Sequence, residues 1–206
     1  ATEFFLQTAS DHEVGVDLHT DETLDPAALD LVDLATMVLA GFDHPVTASH
    51  CVSLGMQGAA RQREIAELVA RAGIDIVALP HTNLYLQGRG VAPMPRGLTA
   101  VAALRQAGVN VAAGADNLQD PFNPVGRACP FETAGLMVVA AHLLPDDAWA
   151  TVTDNAAAAL QLPAVSVAPG DRADLLAVRA ATVREAIAFG PNDRMVWHRG
   201  HTVPSA

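Results

Sequence analysis

The chain has 206 residues, half of them hydrophobic and 17% charged, which suits one sizeable core and excludes a disordered or solvating chain. Its 12 basic and 23 acidic residues leave a formal charge of −11, so phosphate backbones and anionic membrane surfaces are poor partners. The two cysteines, Cys51 and Cys129, form no CxxC pair, which argues against a disulfide framework or a structural zinc site and fits the cytoplasm.

Residues 1–13, with Phe4, Phe5 and Leu6, read as the tail of a helix. A short apolar run at 14–18 then ends at His19. Asp25-Pro26 opens a helical pattern over 27–40, with Leu29, Val32, Leu34 and Val38 among acidic residues. The next run, 46–49, ends at His50. A helix over 59–72 carries Ile65, Leu68 and Val69 on one stripe and is stopped by Gly73, as a C-terminal glycine does. The run 74–80 leads to His81, a helix over 98–107 is closed by Gly108, and the run 109–115 ends at Asp116. A Pro-rich loop spans 120–126, and helical stretches follow at 133–144 and 146–160. The last segment changes character, with short strands expected at 165–170, 173–178 and 195–203. No run is long and apolar enough for a membrane span.

Short β-branched runs alternating with helices at a near-constant interval mean βαβ units and a parallel sheet. A doubly wound sheet and a (β/α)8 barrel both fit the alternation. The barrel is favoured because every strand delivers a His or an Asp at its C-terminal end, where barrel enzymes build their sites. Only four units can be counted, so the expected fold is α/β, half of a TIM-type barrel over 1–160 with a β appendage over 161–206. The chain opens at Ala1 without an initiator Met, which either processing or a missing upstream part would explain.

At the strand ends, His19 has the residue type of a metal ligand and Glu22, three residues on, that of a proton shuttle. An acid such as Asp116, closing an apolar buried strand, is costly unless paired or metal-bound. His50 could polarise a water or a substrate carbonyl. His81 suits either substrate contact or loop structure. His12, His44, His142, His198 and His201 carry no site expectation, and the zinc nucleoside deaminase signature is absent.

The segments Val-Asp-Leu-His19-Thr-Asp-Glu22, Val-Thr-Ala-Ser-His50-Cys, Leu-Pro-His81-Thr-Asn83-Leu-Tyr-Leu-Gln87-Gly-Arg89 and Gly-Ala-Asp116-Asn117-Leu-Gln-Asp120-Pro-Phe-Asn-Pro together resemble the cytosine deaminase branch of the amidohydrolase superfamily. That branch includes cytosine and isocytosine deaminases and N-isopropylammelide amidohydrolases. The resemblance covers essentially the whole chain and includes a closing Pro-Gly-x-x-Ala-Asp-Leu segment typical of the superfamily's small β-sandwich domain. It implies that the strands are the fifth to eighth of the barrel and that His19 and Asp116 ligate one divalent ion, Fe2+ or Zn2+. It further implies that His50 binds the attacking water or a substrate oxygen and that Glu22 moves a proton to a ring nitrogen.

Asn117 stands where cytosine deaminases tend to have a second Asp, which implies altered ring recognition, and Phe122 stands near a Trp that flanks the substrate. The implied substrate is a small heterocyclic amine of pyrimidine or triazine type. The family also takes two ligands from a His-x-His on its first strand, and this sequence contains none. Activity is therefore expected only with an N-terminal half or companion chain. The alternative is a non-catalytic truncated fragment. Self-association through an open barrel edge is expected in either case.

Overall fold

The computed structural model describes residues 1–204. Its first sheet has four parallel strands in chain order, β1 (Val16–Thr20), β2 (Val46–His50), β3 (Asp75–Ala78) and β4 (Val111–Ala113). Each neighbouring pair is joined through helices. These are α2 (Asp30–Leu39), then α3 (Val52–Gly55) and α4 (Ala59–Ala72), then α5 (Pro80–Leu86) and α6 (Val101–Gln106). Helix α1 (Thr2–Asp11) precedes β1, and α7 (Pro130–Ala141), α8 (Pro145–Thr151) and α9 (Asp154–Ala159) follow β4. The α/β expectation and the parallel order hold.

Strand period two splits each strand between two environments. Val46, Ala48, Ile76, Ala78, Val111 and Ala113 join Leu31, Leu34, Ile65, Val69, Val101 and Leu104 in one buried core between sheet and helices. Residues of the opposite parity face the other way. Register aligns Asp17 with Thr47 and Thr47 with Asp75, which makes a polar row across that face. Helix α9 lies at this end of the sheet. Asn155 donates to the Val111 carbonyl at 2.9 Å, Asn110 donates to the Asn155 carbonyl at 3.1 Å, and Thr47 donates to the Ala159 carbonyl at 3.5 Å.

The helix boundaries show which local chemistry wins. α4 runs from Ala59 to Ala72 and stops at Gly73, whose φ of 65° is the left-handed conformation glycine adopts freely. α2 starts later than the sequence pattern suggests, at Asp30. Asp25 builds a turn instead, its carboxylate accepting from the Ala27 N–H at 2.9 Å. The stretch expected as one helix over 146–160 is two, α8 and α9, divided at Val152 and Thr153.

The second sheet is antiparallel, with β5 (Leu175–Val178), β6 (Arg194–His198) and β7 (His201–Val203) in that order. The segment 165–170 forms no strand, which corrects the expectation there: Pro169-Gly170 turns the chain before it can pair. Helix α10 (Val183–Phe189), unanticipated from the sequence, connects β5 to β6 and starts at a Thr182 side chain that accepts from the Glu185 N–H. Among the described residues no helix is long and apolar enough to cross a membrane.

Candidate functional site

The C-terminal ends of β1, β2 and β4 turn sharply. Asp21, His50, Cys51 and Asp116 have φ of 52°, 65°, 46° and 64°, a left-handed region that costs a non-glycine residue about 1–2 kcal/mol. Such strain persists only where surrounding contacts over-determine it, and here they do. Cys51 N–H donates to the Thr20 carbonyl at 2.8 Å and Val52 N–H to the Asp21 carbonyl at 3.0 Å, tying the β1 corner to the β2 corner. The Asp21 carboxylate accepts from Asp30 N–H at 2.8 Å and Leu31 N–H at 3.1 Å. It thereby caps α2 from a distance, since Leu29 at the helix start offers no side-chain cap. Burial raises the Asp21 carboxyl above its ordinary range, and those two backbone bonds partly offset it.

These corners bring four of the anticipated side chains together. His50 Nε2 lies 3.0 Å from His19 Nδ1 and 3.8 Å from Asp116 Oδ2, and His50 Nδ1 lies 3.4 Å from Glu22 Oε1. His50 is buried to 1% exposure. That burial lowers its pKa, against the opposing pull of the Glu22 and Asp116 carboxylates, so desolvation wins and the neutral ring is favoured. His19, Glu22 and His50 each offer one ligand atom, all within 4.8 Å of one another. Imidazole nitrogens and carboxylate oxygens at this spacing suit a divalent transition ion.

The other three anticipated residues have surroundings of their own. His81 does not lie in a strand-end loop: Pro80 occupies the first turn of α5, and His81 is helical. Its Nε2 meets Thr133 Oγ1 of α7 at 3.1 Å, so its polar contact is with a second helix. Asn117 turns inward upon its own loop. Its Nδ2 donates to Asp120 at 2.7 Å, its Oδ1 accepts from Thr82 at 3.2 Å and its carbonyl accepts from Asn123 at 2.6 Å. Phe122 is 51% exposed on that loop.

In place of His81, the β3 end contributes Asn83, fully buried, with Nδ2 3.0 Å from His50 Nδ1 and 3.3 Å from Glu22 Oε1. Gln87, one helical turn on, donates to the Glu22 backbone carbonyl at 3.3 Å. The available sequence signal was two polar residues four apart flanking an otherwise apolar Leu-Tyr-Leu stretch.

Parallel strands that gather His, Glu and Asp at their C-terminal ends define the class: an α/β chain of the kind related to TIM-barrel hydrolases. The amidohydrolase family's sequence profile matches residues 3–204, and the chain belongs to that family. It is 38% identical over 204 residues to a pterin deaminase of Rhizobium rhizogenes, covering 96% of this chain and 47% of the relative. Its structure is similar to that of 5-methylcytosine deaminase from Klebsiella pneumoniae, liganded with 5-fluorocytosine. There the TM-score is 0.89 and the identity 31%, over 100% of this chain and 51% of the other. N-isopropylammelide isopropylaminohydrolase from Burkholderia multivorans gives a TM-score of 0.83 at 29% identity, over 98% of this chain and 50% of the other. The chain thus spans about half the length of the relatives it matches.

Proposed function

We propose that this chain supplies one side of a metal-dependent hydrolytic site that deaminates a pyrimidine, pterin or triazine-type ring. The observation that carries this is the convergence of His19, Glu22, His50 and Asp116 through contacts of 3.0 to 3.8 Å. The matched relatives support the ring class, since each is named for a heterocyclic substrate. On this basis residues 1–160 are the C-terminal half of a (β/α)8 barrel, with β1–β4 as its fifth to eighth strands. Residues 161–206 belong to a small β-sandwich domain.

His19 and Asp116 would hold one divalent ion, Fe2+ or Zn2+, whose chemistry when bound is to acidify water. Glu22, beside His50 at the mouth of β1, passes a proton to a ring nitrogen. His50 binds the attacking water or a substrate oxygen, and Asp116 and Glu22 handle the two protons of that water, one ending on the ring nitrogen and one on the departing amine. The net reaction adds water across the ring carbon bearing the exocyclic amine and releases ammonia or an alkylamine. Phe122, on the loop that Asp116 opens, is the candidate stacking surface for the ring, and Asn117 shapes that loop. The His-x-His ligands come from an N-terminal half or a companion chain, and the assembly works as a cytoplasmic homo-oligomer.

The test is ammonia release from cytosine, isocytosine, ammelide and pterin with Fe2+ or Zn2+. The chain is assayed alone and mixed with the N-terminal half of a matched relative. Turnover is expected in the mixture, with Glu22→Gln reducing it by about 10²–10⁴-fold and His19→Ala weakening metal binding by calorimetry. A mixture without turnover, and metal binding indifferent to His19→Ala, would overturn the proposal.

A further inference from the structure

Asn83 faces two acceptors at once, and the chemistry of one of them fixes which way its amide points. Glu22 as a carboxylate only accepts, so the Asn83 nitrogen must face it, and the second hydrogen of that nitrogen is free for His50. Turning the amide over would set its oxygen against the carboxylate. Oδ1, on the far side, has no hydrogen-bond partner, so the side chain acts at this site only as a donor.

We propose that Asn83 is the positioning residue that holds His50 in the tautomer with Nδ1 bare and a hydrogen on Nε2. Accepting at Nδ1 makes Nε2 the donor, and that nitrogen faces His19 Nδ1 at 3.0 Å and Asp116 Oδ2 at 3.8 Å. Glu22 competes for the other outcome. Its Oε1 lies 3.4 Å from His50 Nδ1 and, without Asn83, would accept a hydrogen from it, which leaves Nε2 bare. The Asn83 contact is shorter, 3.0 Å, and one amide satisfies both acceptors, so the balance falls to Asn83. Gln87, the residue that caps the C-terminal end of α5, grips the Glu22 carbonyl, so α5 and its cap hold the shuttle and set the histidine together. The inference takes its functional meaning from the proposed hydrolysis, while the tautomer itself exists without metal or substrate.

The test uses the metal-free 206-residue chain, labelled with nitrogen-15 at histidine and held at about pH 8, above the ordinary imidazole range. Long-range nitrogen–proton NMR reads His50, assigned by comparison with His50→Gln. In the wild type, Nε2 is expected to carry the protonated-type shift and Nδ1 the bare type. Asn83→Leu removes the donor at similar size and should exchange the two shifts. Asn83→Asp keeps the shape, presents only acceptors and should do the same. A hydrogen on Nδ1 in the wild type, or unchanged shifts in a folded variant, overturns the proposal. A wild-type hydrogen on Nδ1 overturns the proposal even if neither variant folds. Because the readout needs neither metal nor turnover, its failure leaves the hydrolase proposal standing, and an inactive chain leaves the tautomer result standing.

Discussion

Asp21 shows how one residue serves architecture and site together. Its left-handed backbone directs the chain from β1 towards Glu22, and its carboxylate reaches forward nine and ten residues to the bare N–H groups of α2. The conformational cost is offset by two charge-assisted bonds that no other side chain supplies at that helix start. Asp21→Ala is expected to cost about 1 kcal/mol, the usual value of a helix cap, and Asp21→Asn less, because one acceptor remains. Urea unfolding with an unchanged slope measures this, and a midpoint equal to wild type would count against the cap. His19, Glu22, His50 and Asp116 were legible in the sequence because each is a chemically capable residue at the end of an apolar run. Asp21 was not, because a left-handed φ leaves no mark on the sequence of an Asp, and its partners are nine and ten residues away.

At the scale of elements, α5 explains why Asn83, and not His81, meets His50. Helical residues advance about 100° each, so positions 81 and 83 point to nearly opposite sides. Once Pro80 starts a helix at the end of β3, only one of the two can face His50. Short apolar runs revealed the strands, and the repeat of a buried stripe revealed α4. Periodicity did not reveal α5 or α10, each of seven residues, which are too short to show a period.

The sheet face away from the core carries Asp75, whose carboxyl is raised by burial, with the Asn110 amide partly offsetting it. A raised carboxyl pKa means the folded chain holds the proton more tightly, so ionisation opposes folding. The penalty is absent below the unfolded value of 3.8, grows as pH rises through it, and is full above the folded value. Asp75→Asn should therefore raise the thermal midpoint at pH 7 by an amount worth on the order of 1 kcal/mol or less after solvent screening. It should change little at about pH 3, where both states are protonated. A gain of equal size at both pH values would show that ionisation is not the cause.

For the whole molecule, edges and charge pull in opposite directions. β1 and β4 are the outer strands of the parallel sheet, and each has one side without a strand partner among the described residues. Such edges invite pairing between copies, whereas a formal charge of −11 keeps copies apart. Salt removes the second effect and spares the first, because the screening length falls from about 10 Å at 0.1 M to about 3 Å at 1 M. Sedimentation velocity should therefore show apparent mass rising from 21.4 kDa as salt increases. A monomer at every ionic strength would remove the case for edge pairing. Parallel order was predictable from the alternation of strands and helices. The closed-in loop around Asn117 was not, because it depends on Thr82, Asp120 and Asn123 meeting in space.

The sharp corners after β1, β2 and β4 also limit how far this family member's sequence can drift. Cys51 is completely buried beside apolar neighbours, and by volume and hydrophobicity valine would be its natural substitute. A β-branched residue is the worst choice at φ of 46°, so alanine is the better replacement although it leaves a small void. At 21, 50, 51 and 116 the bend of the chain decides which residues are admissible before chemistry selects among them.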